Sequence, residues 1–239
     1  MLTPDRTYTI PFGNEALIIN EKIIPDNMYA PGNILNAKGG IAYEKGDPMK
    51  SLQHVPLSQI YGVVAHNTND LANVEDDGEQ YTRATLNWAM GGVVVHFYVD
   101  DLCAWQNLNI DGWTNPGYHA GCGPKIVTGN KGIQLNGNVN CFGVEIIMQG
   151  DGSEADKKAE RNGAMLIAWL LTKLDSRNED DVYSHWYFAN DKKYCPAFIL
   201  PHWEEFKKQI AYYLSILQGK NSGFTLANLE GNIAWRHAA

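Results

Sequence analysis

Ile60 to Thr68 reads IYGVVAHNT. It is a short, nearly continuous apolar run with β-branched residues at its centre, closing on His66, Asn67 and Thr68. A run of this kind fits a strand buried in the middle of a sheet, with its polar groups at the end where the chain leaves the sheet.

Working outward, an acidic loop follows, with the turn signal Asp77-Gly78, and then a predicted helix from Gln80 to Met90 that carries Leu86 and Trp88 and is stopped by Gly91-Gly92. VVVHFYV, Val93 to Val99, reads as the next strand, and Leu102 to Leu108 pairs with it as a hairpin. Asn109 to Asn140 is a long loop dense in Gly, Asn and Pro, a length that goes with function. Phe142 to Met148, FGVEIIM, is a further strand with Glu145 inside its apolar run. Glu154 to Leu174 is the clearest helix. Ala159, Gly163, Leu166, Ile167, Leu170 and Leu174 recur at spacings of three and four, with Ser153 placed to cap the N-terminus. An amphipathic helix over about His202 to Leu217 follows Pro201. Before Ile60, only Ala16 to Ile24 reads as a strand or hairpin arm. Strands interleaved with helices predict an α/β fold with a mixed central β-sheet flanked by helices. The expected organisation is an N-terminal extension (1–55) packed on a catalytic domain (56–218), then a linker and tail (219–239).

A hydrophobic fraction of 44% with 19% charged residues is that of a globular chain with a sizeable core. The formal net charge of −8 argues against bulk electrostatic binding to nucleic acid, so any partner is recognised by a local site. Four cysteines, Cys103, Cys122, Cys141 and Cys195, form no dense disulfide framework and read as free thiols. MLTPDRTYTIPF at the start has the pattern of neither a secretory signal nor an anchor, and no window approaches the roughly 18 apolar residues of a membrane span.

Val182 to Phe198, VYSHWYFANDKKYCPAF, holds His185, Lys193 and Cys195 within one short stretch. Histidine and cysteine are metal-ligand types, and catalytic zinc takes three protein ligands with a fourth position open. His66 stands where a third ligand is wanted; a satisfied histidine at a strand end is the bland alternative. His96, in VVVHFYV, is either a ligand or a supporting residue behind one. Glu145 is costly in an apolar strand unless it is paired or protonated, and beside a metal it becomes a general base; an exposed edge-strand Glu is the alternative. Lys193 is either an oxyanion partner or an ordinary surface lysine.

VVAHNT, VVVHFYVDD, GYHAGCG, FGVEIIM and SHWYFANDKKYCPAF, in this order, resemble the zinc-dependent N-acetylmuramoyl-L-alanine amidases of bacteria and their phages, which share a fold with peptidoglycan recognition proteins. The resemblance covers about Ile60 to Leu217. It implies zinc (Zn2+) held by His66, His185 and Cys195, with Glu145 as base and Lys193 as oxyanion stabiliser. It puts Tyr118 and His119 in the substrate groove, Tyr118 standing where the family has a tryptophan, and adds His96 to the substrate-binding set. Some relatives carry a catalytic tyrosine just before the hairpin-strand histidine; that position is Val95 here. The implied activity is hydrolysis of the amide between N-acetylmuramic acid and L-alanine in peptidoglycan, with a non-catalytic peptidoglycan-binding module as the alternative. The expected protein is a monomer made in the cytoplasm. It acts on the wall after release, as a phage endolysin does, or recycles muropeptides in the cytoplasm.

Overall fold

The computed structural model describes residues 1–25, 54–68, 77–87, 89–90, 93–121, 126–190 and 193–220. Trp88, the Gly91-Gly92 stop, Cys122, residues 26–53 and the expected tail beyond Lys220 lie outside the described residues.

Among the described residues, eleven strands form one mixed sheet and two small ribbons. They are β1 (Arg6–Phe12), β2 (Glu15–Glu21), β3 (Val55–Pro56), β4 (Gly62–Asn67), β5 (Phe97–Val99), β6 (Ala104–Gln106), β7 (Trp113–Thr114), β8 (Ile126–Thr128), β9 (Gln134–Asn136), β10 (Cys141–Ile146) and β11 (Val182–Ser184). The helices are α1 (Gly78–Leu86), α2 (Glu154–Thr172), α3 (His185–Phe188) and α4 (Trp203–Leu217). The seven-stranded sheet has the order β1-β2-β6-β5-β10-β4-β11; β3 pairs with β7, and β8 with β9. Strands β5, β10, β4 and β11 run parallel, while β1–β2 and β5–β6 are antiparallel. The expected mixed sheet with flanking helices is the observed architecture.

Alternation along the strands sorts their side chains onto two faces. Val63 and Ala65 of β4, with Phe142, Val144 and Ile146 of β10, join the main core beneath α2 and α4. Val64 and Cys141 lie on the other face, with Ala120, Leu135 and Phe188. By the same parity His66 and Glu145 belong to that second face.

Helix α2 starts where the sequence predicts: the Ser153 side chain accepts the Asp156 N–H at 3.2 Å, with Glu154 and Asp156 in the first turn. Its apolar stripe is wider than the periodicity implies. Ala164, Met165, Ala168, Trp169 and Leu171 are buried too, because the helix is wedged between the sheet and α4. Each large aliphatic side chain buried there contributes about 1.5–3 kcal/mol relative to exposure.

Several expectations are corrected. The strand expected over 93–99 is regular only at Phe97–Val99; before it, the Gly143 N–H is donated to the His96 ring at 2.9 Å, and Val94 pairs with Tyr118 instead. Helix α1 begins at Gly78, with Asp77 accepting from the Gln80 N–H, and gives way to a cap at Asn87. The loop 109–140 contains β7, β8 and β9. The β1–β2 hairpin joins the main sheet edge-on, Ile19 opposite Ala104, and places Phe12, Leu17 and Ile19 in the core. Among the described residues no helix is long and apolar enough to cross a membrane.

Candidate active site

Three neighbouring strand ends build the site. In the parallel register of β10 with β4, Glu145 is the partner of His66. Strand β11 ends with Ser184 opposite Ala65, so the next residue, His185, emerges beside His66. In a parallel sheet the carboxyl ends of the strands open a crevice, and here it receives Glu145, His66 and His185 together.

Cys195 is brought back to this crevice by backbone contacts. The Trp186 N–H donates to the Cys195 carbonyl at 2.8 Å, tying the returning segment to α3, and the Phe198 N–H donates to Asn67 Oδ1 at 3.1 Å. His185 therefore opens a one-turn helix rather than a loop. Its donor atom and those of His66 and Cys195 lie within 4.8 Å of one another, all three residues are buried, and the group could hold a metal ion. Cys195 Sγ is 3.7 Å from His66 Nδ1, and the His66 and His185 ring centroids are 4.7 Å apart. Glu145 Oε2 approaches the same Nδ1 to 3.9 Å, which marks that nitrogen as the one facing the centre.

Burial sets the protonation of these groups. It drives His66 well below the ordinary histidine range, helped by His185, His119 and the Lys193 charge. It pushes Glu145 up to about 7, with the Lys193 ammonium opposing. It also pushes Cys195 up to about 12, so the thiol is protonated until a cation draws the proton off. His96 is driven down to about 3 by burial.

Above the cluster is a cleft of about 410 Å³ lined by His66, Glu145, His185, Tyr118, His119 and Lys193, among others. A second cavity, about 620 Å³, adjoins Glu145, Lys193 and Cys195 on the side of Tyr81 and Tyr98. The structure thus gathers seven of the eight residues singled out from the sequence. His96 is the exception: it has 0% exposure and lines neither cavity, and its Nδ1 is occupied by the Gly143 N–H. Its ring lies behind β10. Two residues passed over in the sequence also matter. Asn67 holds the segment after Cys195, and the fully buried Asn138 accepts the N–H groups of His119 and Ala120 at 3.0 and 2.6 Å. An asparagine in a Gly- and Asn-rich loop reads as a turn former, so nothing in the sequence marked Asn138, and Asn67 read only as a polar strand end.

Residues 56–198 match the family described as N-acetylmuramoyl-L-alanine amidase. The chain belongs to the N-acetylmuramoyl-L-alanine amidase family. A search of curated protein sequences gave no match. Among solved structures, a mutant endolysin from Bacillus subtilis shares 24% identity over 81% of this chain and 99% of its own, with a TM-score of 0.56. The catalytic domain of XlyA also shares 24%, over 80% and 98%, with a TM-score of 0.56. The Staphylococcus aureus hydrolase AmiA, solved with its ligand, shares 15% over 86% and 87%, at 0.52. At such identities the structures establish a common fold. The amidase-family match begins at the β3–β7 ribbon and closes just after Cys195, so it encloses every residue of the cluster.

Proposed function

We propose that this amidase-family chain is a zinc enzyme that hydrolyses the amide between the lactyl group of N-acetylmuramic acid and the L-alanine of the stem peptide in peptidoglycan. The observation that carries this reading is the meeting of the buried donors of His66, His185 and Cys195 in one cluster, with Glu145 beside it and His66, His185 and Glu145 lining the cleft above.

The donor set fits zinc. Two imidazoles and one thiolate leave a fourth tetrahedral position open, the pattern of a catalytic rather than a structural centre. Ordinary Zn–S and Zn–N bond lengths at a tetrahedral angle put sulfur and nitrogen about 3.6 Å apart, and the Cys195 Sγ to His66 Nδ1 distance is 3.7 Å. Zinc, when bound, supplies Lewis-acid polarisation of the scissile carbonyl and acidifies a water to a pKa of about 7.

The protein's own groups carry the remaining work. Glu145, raised to about 7 and next to the donor cluster, is matched to take the proton of the attacking water and to return it to the departing amine of alanine. Lys193, on the wall shared by both cavities, brings a positive charge to the oxygen on which negative charge develops. Tyr118 and His119 line the cleft beside the cluster, where a muramoyl peptide would lie. The likeness to endolysin structures supports a lytic role on the wall after release from the cytoplasm.

Mass spectrometry of purified wall digested by the protein, with metal analysis of the same sample, tests the reading. New alanine amino termini and stoichiometric zinc are expected. A zinc-free active protein, or a cut at another bond, overturns it. Wall binding without new alanine termini identifies a recognition module instead.

A further inference from the structure

We propose that His119 is a positioning residue that holds His66 in the tautomer with Nδ1 turned to the metal, and that Gly143 and Asn138 hold His119 in place for this task. The proposal rests on the zinc reading of the site, but concerns residues that do not ligate.

The two nitrogens of His66 face opposite ways. Nδ1 looks toward Cys195 Sγ at 3.7 Å and Glu145 Oε2 at 3.9 Å. Nε2 looks away from the cluster, at 3.0 Å from Nδ1 of His119. A neutral imidazole that offers Nδ1 as a ligand carries its proton on Nε2. At this buried position that N–H needs an acceptor, and leaving it without one costs on the order of 1–3 kcal/mol. His119 Nδ1 is the acceptor in place. The opposite tautomer, with the proton on Nδ1, would point an N–H at the metal position. A partner that accepts at Nε2 therefore selects the state of His66 that binds.

His119 can do this only if its ring is held in one place, and three neighbours hold it. Asn138 Oδ1 accepts the backbone N–H groups of both His119 and Ala120, while its Nδ2 donates to the Gly121 carbonyl at 3.0 Å. Gly143, two residues before Glu145 on β10, lies directly beneath the ring. A Cβ at that position would come within 2.6 Å of His119 Nε2 and 2.7 Å of its Cγ. Gly117 leaves the same ring room, since a Cβ there would stand 2.7 Å from Cδ2. Gly143 is in turn held by His96, whose N–H donates to its carbonyl at 3.0 Å and whose Nδ1 accepts its N–H at 2.9 Å. The structure thus runs from His96 through Gly143 and His119 to the ligand His66.

The test is the zinc dissociation constant of the full chain, measured by chelator competition at fixed pH, together with the melting temperature of the metal-free protein. His119→Phe keeps an aromatic ring but removes the acceptor. Zinc affinity should fall about 10–100-fold, the usual cost of losing a partner behind a ligand, with little change in metal-free melting. His119→Asn, whose Oδ1 can stand near the place of Nδ1, should recover most of the affinity. Gly143→Ala should weaken zinc although every ligand and His119 itself remain. The proposal is overturned if His119→Phe binds zinc as tightly as the unaltered chain, or if His119→Asn is no better than His119→Phe. Should His119→Phe not fold, Gly143→Ala and His119→Asn decide it: wild-type affinity in Gly143→Ala, or a 10–100-fold loss in His119→Asn, overturns it. If the unaltered chain binds no zinc, the site reading falls and this inference with it. Tight binding by both the unaltered chain and His119→Phe removes only the role of His119.

Discussion

His202 and Glu160, beneath the sheet between the entry to α4 and the middle of α2, are joined at 2.8 Å with exposures of 6% and 0%. On the opposite face, His66 and Glu145 are also a buried histidine and a carboxylate, but they stand 3.9 Å apart and Glu145 retains 18% exposure toward the cleft. The first pair is closed: the two groups are hydrogen-bonded to each other, and the result ties two helices together. The second is left open. Burial raises both carboxyls, Glu160 against its hydrogen bond to His202, and Glu145, without a histidine so close, to about 7. On the proposed reading, the same two residue types serve structure where they complete each other and chemistry where they do not.

The strongest way to break this contrast is Glu145→Gln. Hydrolysis should fall about 10²–10⁴-fold while zinc stays bound, read as stem-peptide release alongside metal analysis; parallel loss of both would make Glu145 a structural residue like Glu160. His202→Ala should do the reverse. Removing one member of a buried pair costs about 3–5 kcal/mol, seen in denaturant unfolding, with zinc affinity of the folded fraction unchanged. A loss of zinc in this variant would show that the two faces are coupled.

The pH dependence sharpens the comparison further. A carboxyl raised in the folded state holds its proton more tightly there than in the unfolded chain. Its contribution to stability is thus full below the ordinary value of 4.5 and is lost as pH rises through about 7. At about 1.4 kcal/mol per unit, Glu145 accounts for up to roughly 3 kcal/mol of that fall in the metal-free protein. Glu145→Gln should flatten the denaturant midpoint over this window; an unchanged slope would mean that Glu145 ionises as an ordinary surface carboxylate. The smallest effect belongs to the helix face alone: Ser153→Ala, which removes the α2 cap, should cost about 1 kcal/mol in unfolding experiments and leave zinc affinity and turnover untouched.

Legibility in the sequence followed the strength of local patterns. Strands β4 and β10 and helix α2 were readable because unbroken apolar runs and three-four spacing report burial directly. Strand β1 was not: RTYTIPF is exposed along much of its length, contains Pro11, and is a strand only because β2 lies beside it. Strands β7, β8 and β9 are two or three residues long and have no period to read. His185 was expected at a strand end, and the one-turn helix after it was invisible because four residues carry no helical pattern. For His96 the sequence left a ligand and a supporting role open, and only the structure shows its buried ring taking the Gly143 N–H.

By itself the sequence determined the residue types of the site, the strands that would carry them and the sheet-and-helix class, since these depend on local hydrophobicity and on the chemistry of His, Cys, Glu and Lys. Only the tertiary structure decided which atoms meet. The parallel register of β10, β4 and β11 sets Glu145, His66 and His185 side by side, and a missing side chain at Gly143 lets His119 lie behind His66. Register and close approach join residues 53 to 129 positions apart, and no local pattern along the chain encodes a distance between such residues.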